Sequence, residues 1–311
     1  MPNKEMRAAY CDKLIELASK DPKVVVLEAD LMKASGTMGF KKAFPDRGID
    51  AGIAEANMVG VAAGLSANGY IPFAATFGCF ASRRAYDQFF LSANYAKLNV
   101  KLTGTDPGIS AAFNGGTHMP FEDGPLMRMI PGLPIVEPSD AVSAAAFTEL
   151  VYQHKGSTYM RLHRKSVDPI YDENEKFEIG QGKVLSDGKD AAIIALGAIE
   201  VREAIKARGI LASEGVDAAV IDILTLKPID RKLVLSYAAK TGRIVTAEDE
   251  QVAGGLGSEV SMLLTETGTA CRLAMVGIHD EFGQVGTTDW LMQYYRMTAK
   301  DIAEQVMGLM K

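Results

Sequence analysis

The sequence predicts an α/β protein built as two doubly wound domains. Apolar runs of strand length alternate with helical patterns along all 311 residues, the signature of layered sheets with mostly parallel strands. One acidic stretch without either period interrupts the alternation, and the chain is long enough for two cores of ordinary size. At the start, Met6, Tyr10, Leu14 and Leu17 recur at helical spacing among charges. That pattern reads as an amphipathic helix and not as a signal peptide. Strands are then expected at 24–27, 71–75, 100–103, 135–136 and 159–162, with helices near 54–68, 82–96 and 139–153. Right-handed β-α-β crossovers would wind these into one sheet. From Asp168 to Gly180 five acids stand against a single lysine, with neither period, which reads as a linker. A second series follows, with strands at 191–199, 216–224, 242–249 and 272–278 and helices near 199–214, 231–240 and 256–268. The last helix begins after Thr298, a good N-cap residue. The expected division is a first domain over 1–170, a linker over 171–183 and a second domain over 184–311.

Bulk properties exclude several function classes. Hydrophobic content of 48% and charged content of 23% are those of a soluble globular protein. A net charge of −6 offers no electrostatic footprint for nucleic acid or anionic lipid. Cys11, Cys79 and Cys271 are scattered, which suggests neither a disulfide framework nor a zinc site. Reduced thiols are expected, and a cytoplasmic location with them. No apolar run approaches the roughly 18–20 residues of a membrane span.

The chemistry-bearing residues concentrate in the first domain. In DAGIAEANMVGVAAGLSANGY (50–70) one carboxylate, Glu55, stands at the start of an otherwise apolar, small-residue helix. By position alone it is an acid stabilised by the helix dipole. Its apolar surround disfavours the charged form, as a proton-transfer group requires. The next block, FAATFGCFASRRAYDQF (73–89), carries Phe77 and Phe80 at i, i+3, a spacing that by itself more often marks a core than a cofactor pocket. Arg83 and Arg84 follow, with a solvated helix face as the plain alternative. The third block, GTDPGISAAFNGGTHMPFEDGPLMR (104–128), holds His118 after two glycines, and a lone loop histidine is more often structural or solvated than catalytic. Arg161 and Arg164, in STYMRLHRKS, end an expected strand. A guanidinium there suits a phosphate or carboxylate, or else a solvated strand end. Asp30 follows the first strand at the edge where α/β sheets bind ligands. In the second domain VAGGLG (252–257) opens a helix, but it lacks the G-x-G-x-x-G spacing of a dinucleotide site.

Together the three blocks resemble the pyrimidine-binding half of the transketolase family of thiamine diphosphate enzymes. EDEQVAGGLGSEV and DEFGQVG (280–286) resemble that family's C-terminal domain, where they serve packing and dimer contacts. The resemblance implies that Glu55 hydrogen-bonds the cofactor's aminopyrimidine and that Phe77 and Phe80 line the pocket of that ring. It implies that His118 meets the substrate's oxygen, that Arg164 clamps a substrate phosphate, and that Asp30 and Ser35 lie near the thiazolium and the phosphate. Asn114 stands where transketolases usually have an aspartate that reads the donor's hydroxyl. Thr105 stands where they have a phosphate-contacting histidine, and Arg83 where they have an aromatic residue.

The G-D-G and the later Asn that hold Mg²⁺ and diphosphate in this superfamily are absent from the sequence, so no metal ligand is expected in this chain. The expectation is the C-terminal subunit of a split transketolase, using thiamine diphosphate and Mg²⁺ with metal ligands from an N-terminal partner subunit, in an α2β2 assembly. It would transfer a two-carbon ketol unit between sugar phosphates. A β subunit of a 2-oxoacid dehydrogenase, or a deoxyxylulose-phosphate synthase-like carboligase, keeps the cofactor and changes the reaction. A non-catalytic scaffold is the rival of another class, and it has no use for an acid in apolar surroundings. No catalytic role is expected for His154, His163 or His279.

Overall fold

The computed structural model describes residues 4–311. In the first half, α1 (Met6–Lys20) and β1 (Val24–Glu28) lead into α2 (Met32–Ser35), α3 (Met38–Ala43) and β2 (Gly48–Asp50). Next come α4 (Glu55–Ala67), β3 (Ile71–Phe77), α5 (Gly78–Arg83), α6 (Tyr86–Gln88) and a π-helix over Phe89–Tyr95. After β4 (Lys101–Thr105) a 3₁₀ segment, Gly108–Asn114, leads to α7 (Asp123–Arg128), β5 (Ile135–Val136), α8 (Ala141–Gln153) and β6 (Thr158–Leu162). The face of α1 follows its periodicity. Met6, Tyr10, Leu14 and Leu17 are buried and share a core cluster with Val24 and Val26 of β1 and Phe147 of α8.

The second half runs through β7 (Lys183–Ser186), β8 (Ala191–Ala195), α9 (Glu200–Ser213), β9 (Ala218–Asp222) and β10 (Thr225–Lys227). It ends with α10 (Arg231–Thr241), β11 (Arg243–Gln251), α11 (Leu256–Thr267), β12 (Arg272–Ile278), α12 (Thr288–Tyr294) and α13 (Ala299–Met310). Thr298 caps α13, its hydroxyl accepting from Asp301 N. The strands form two sheets, ordered β10-β5-β6-β4-β3-β1-β2 and β12-β11-β8-β9-β7. Both are parallel except at an edge, where β10 pairs antiparallel with β5 and β7 with β9.

Three features differ from the sequence expectations. The stretch 82–96 is not one helix but α5, α6 and the π-helix, whose wide turn the Asn94 side chain closes by donating to Phe89 O at 2.8 Å. The acidic linker is fastened down: the backbone N–H groups of Ile170 and Tyr171 donate to Asp140 Oδ2, and the Tyr171 hydroxyl donates to Asp222 at 2.7 Å. Lastly, β10 follows the linker in sequence yet extends the first sheet, and one core cluster runs from Val25 and Leu27 to Ile194 and Leu226. No helix among the described residues is long and apolar enough to cross a membrane.

Candidate active site

Strands β1, β3, β4 and β6 are neighbours that end side by side, with Phe77 in register with Thr105 and Thr105 with Leu162. The carboxyl ends of parallel strands are where an open sheet presents its loops to ligands. Along that edge come Asp30 after β1, Phe77 and Phe80 at the β3–α5 corner, Asp106 after β4, and Arg164 after β6. Gly104 is required beneath this edge. A Cβ there would lie 2.2 Å from the Tyr159 hydroxyl and 2.9 Å from Gly78 Cα.

Glu55 is the first residue of α4 and only 4% exposed. Its carboxylate is not left alone, because Arg84 Nη1 donates to Oε1 at 3.0 Å. The same guanidinium lies 4.0 Å above the centroid of the Phe80 ring. Phe77 is buried and Phe80 half-buried, with centroids 5.9 Å apart. His118 meets both rings edge-on, at 5.3 Å from Phe80 and 6.0 Å from Phe77. The structure therefore gathers Glu55, Phe77, Phe80 and His118, with Arg84 joining the acid to the aromatic wall.

The loop carrying His118 is braced from two sides. Arg83 donates to Thr117 O at 3.2 Å and pairs with Glu122 at 3.0 Å. From the second half, Gly283 backs onto Gly116, where a Cβ would sit 2.2 Å from Gly283 O. This is the packing that the 280–286 segment supplies within the chain. Asn114 is exposed four residues before His118.

Arg164 points its Nε at Asp106 Oδ1, 3.0 Å away, and its guanidinium lies 5.9 Å from the Phe77 ring centroid. Burial raises the Asp106 carboxyl to about 6, against the pull of the Arg164 charge. Thr105 is buried, its hydroxyl donating to Thr76 O at 3.4 Å. Asp30 is exposed and takes a left-handed backbone conformation, with its N–H held by Asp50 at 2.9 Å.

Two of the side chains singled out in the sequence lie in the interior. Ser35 is fully buried, and its hydroxyl donates to Glu28 and to Leu31 O, so it faces no open pocket. Glu28, which also accepts from Thr37 at 2.6 Å, is raised to about 8 by burial, against the two hydroxyl donors. Arg161 takes the carboxylate alternative of its reading and not the solvated strand end. It is completely buried, donating to Asp123 at 3.1 Å, to Glu137, and to Asp249 O at 3.1 Å, with Glu250 at 3.8 Å. A parallel strand covered on both faces buries every residue, and β6 packs Tyr159 into one core cluster and Met160 and Leu162 into another. The glycine-rich turn before α11 likewise holds no phosphate-ready N–H groups, since Glu248 accepts from Leu256 N and from Gly257 N at 2.8 Å. Asp106 escaped the sequence reading, although it follows β4 just as Asp30 follows β1.

The geometry tests which occupant fits. A buried carboxylate beside a half-exposed aromatic face already holds one flat, donor-bearing cation, so a flat heterocycle with ring or amino hydrogens suits the same slot. Among the described residues no group of three or more His, Cys, Asp or Glu is placed to hold a metal ion.

Two α/β sheets, the first with an acid and an aromatic pair at its carboxyl edge, define a class of protein, and comparisons with known proteins identify it. The transketolase pyrimidine binding domain matches residues 3–169 and the transketolase C-terminal domain matches residues 180–302. This chain belongs to the transketolase family. It is 48% identical to the 6-deoxy-6-sulfo-D-fructose transketolase subunit SqwH of Clostridium sp. (strain MSTE9), over 96% of this chain and 92% of that protein. It is 40% identical to a putative transketolase C-terminal section of Methanocaldococcus jannaschii, covering 99% and 97% of the two chains. Among solved structures, a split gene transketolase described as an inactive beta4 tetramer superposes with a TM-score of 0.90 at 41% identity, over 99% of this chain and 98% of that one.

Proposed function

We propose that this chain is the C-terminal subunit of a two-subunit transketolase, contributing the pyrimidine side of a thiamine diphosphate site. The observation that carries the reading is Glu55, a nearly buried carboxylate at the carboxyl edge of the sheet, set beside the half-exposed ring of Phe80. When bound, thiamine diphosphate supplies the nucleophilic carbon that cleaves and carries a two-carbon ketol unit. Glu55 exchanges a proton with a nitrogen of the aminopyrimidine ring, Phe77 and Phe80 wall that ring, and Asp30 lies toward the thiazolium. His118 donates to the oxygen of the substrate carbonyl and takes part in its proton transfers. Asn114 reads a donor hydroxyl. Arg164, with its Nε on Asp106, turns its remaining donors to the anionic tail of the sugar. That tail is a phosphate by family resemblance, while the Clostridium relative is named for a sulfonated fructose.

Mg²⁺ and the diphosphate are held by an N-terminal partner subunit, because two adjacent phosphates need a metal on carboxylate and carbonyl oxygens. The location is cytoplasmic. The purified chain with metal and cofactor should transfer no ketol unit. Mixing it with a subunit carrying the G-D-G…N motif should create activity and an assembly of two copies of each chain, read by light scattering. Full activity from this chain by itself would overturn the two-subunit reading.

A further inference from the structure

Arg84 holds both features that a flat heterocycle would use at this edge. Its Nη1 hydrogen-bonds Glu55 Oε1 at 3.0 Å, and its guanidinium carbon stands 4.0 Å above the Phe80 ring. A distance of 4.0 Å is stacking distance, so nothing else can lie on that part of the ring while the arginine is there. A guanidinium is planar, donates from its edge and presents flat faces. An aminopyrimidine does the same, with a ring nitrogen and an amino group along its edge.

We propose that Arg84 is a stand-in for the aminopyrimidine: it occupies the ring's place on Phe80 and Glu55 in the free chain and swings out when the ring is seated. The inference rests on the pyrimidine site proposed above. The physical need is that of Glu55, because a carboxylate with 4% exposure and no partner carries a large desolvation cost. Arg84 partners it until a ligand donor arrives. Arg84 can leave without disturbing the core, since its own side chain is 52% exposed. Its neighbour Arg83 cannot follow, being held by Thr117 O and Glu122. Ligand binding therefore competes with an internal contact. The apparent affinity is the intrinsic affinity multiplied by the fraction of molecules in which Arg84 has already swung away.

The test uses this chain mixed with an N-terminal subunit carrying the G-D-G…N motif, and two probes, thiamine diphosphate and the aminopyrimidine alcohol that corresponds to its pyrimidine half. Binding is measured by calorimetry and ligand-observed NMR for the wild type, Arg84→Ala, Arg84→Lys, Glu55→Gln and the double variant of Glu55→Gln with Arg84→Ala. With the arginine in place in nine molecules of ten, Arg84→Ala binds the pyrimidine alcohol about tenfold tighter than wild type. Arg84→Lys, which keeps the charge but loses the flat stack, falls between them. The double variant loses the gain, because the ring then has no carboxylate to meet. If Arg84→Ala binds no tighter while Glu55→Gln still weakens binding, the pyrimidine site stands and the stand-in is overturned. If no variant binds either probe, or Glu55→Gln changes nothing, the pyrimidine site itself fails and the inference with it.

Discussion

Two regions of this molecule are built from arginine and carboxylate, and they differ in what surrounds the pair. Between the sheets, Arg161 is fully buried among Asp123, Glu137 and Glu250, and all three carboxylates are buried with it. At the open edge, Arg84 reaches a single acid, Glu55, from a side chain that is half in solvent. The first arrangement cannot rearrange without stranding charge in a dry interior. The second can exchange its partner, because the arginine has water to move into. Fixed charge builds the scaffold, and exchangeable charge makes a site.

The sharpest way to break that contrast is Glu55→Gln in the assembled enzyme. The amide keeps the shape and removes the group proposed to trade a proton with the cofactor. Losing a positioned acid–base group lowers turnover by roughly 10²–10⁴. The denaturant midpoint of the chain should stay close to that of the wild type. A normal rate, or a rate loss matched by loss of folding, would place Glu55 with the scaffold charges.

Stability separates the two arginines in the opposite sense. Arg161→Met leaves Asp123 and Glu137 without the cation they share, and breaking a buried pair from one side costs ~3–5 kcal/mol. Arg84→Met breaks a pair whose cation is half exposed, and exposed pairs contribute about 0–1 kcal/mol. Urea unfolding of both variants measures the difference. Equal losses would mean that the edge pair is as structural as the interior one.

How much of this could be read from the sequence follows the range of the interaction. The periodicity of Met6, Tyr10, Leu14 and Leu17 marked the buried face of α1, because a helix face is written locally at i, i+3 and i+4. The three residues of β10 hold no period, and only their pairing with Val136 and Ile135 makes them a strand of the first sheet. Tyr171 lies in an acidic, patternless stretch, and its burial against Asp222 joins positions 51 residues apart. At the site, Glu55, Phe77, Phe80 and His118 stand out in motif blocks. The contact between Arg84 and Glu55 spans 29 residues and leaves no local trace. Arg161 shows that a charge in a strand sequence is ambiguous until the neighbours of that strand are known.

The smallest expected effect tests the interior cluster through pH. Glu248 and Asp249 of β11 are raised to about 7, first by burial, although backbone N–H groups and Arg161 pull them down. Glu250 and Glu200 are raised well above the usual carboxylate range, by burial and then by surrounding charge, with Arg161 opposing the shift at Glu250. Both carboxylate oxygens of Glu200 lack a hydrogen-bond partner. In an unfolded chain these acids titrate near ~4. At neutral pH the folded protein therefore holds protons that the unfolded chain has released, and stability falls as pH rises. The contribution is complete below about 4 and is lost as pH climbs through about 7 and above. Lys101, lowered to about 7 by burial, works in the other direction above neutrality, so the wild-type slope alone is a mixture. Comparison with Glu200→Gln isolates the acids, since Lys101 is common to both chains and the amide mimics the protonated side chain without titrating. Denaturant unfolding should give similar stabilities near about pH 4, and a variant increasingly more stable than wild type towards about pH 9. A variant that loses stability equally at both pH values would show that the Glu200 carboxyl titrates alike in the folded and unfolded chain and that its burial raises nothing.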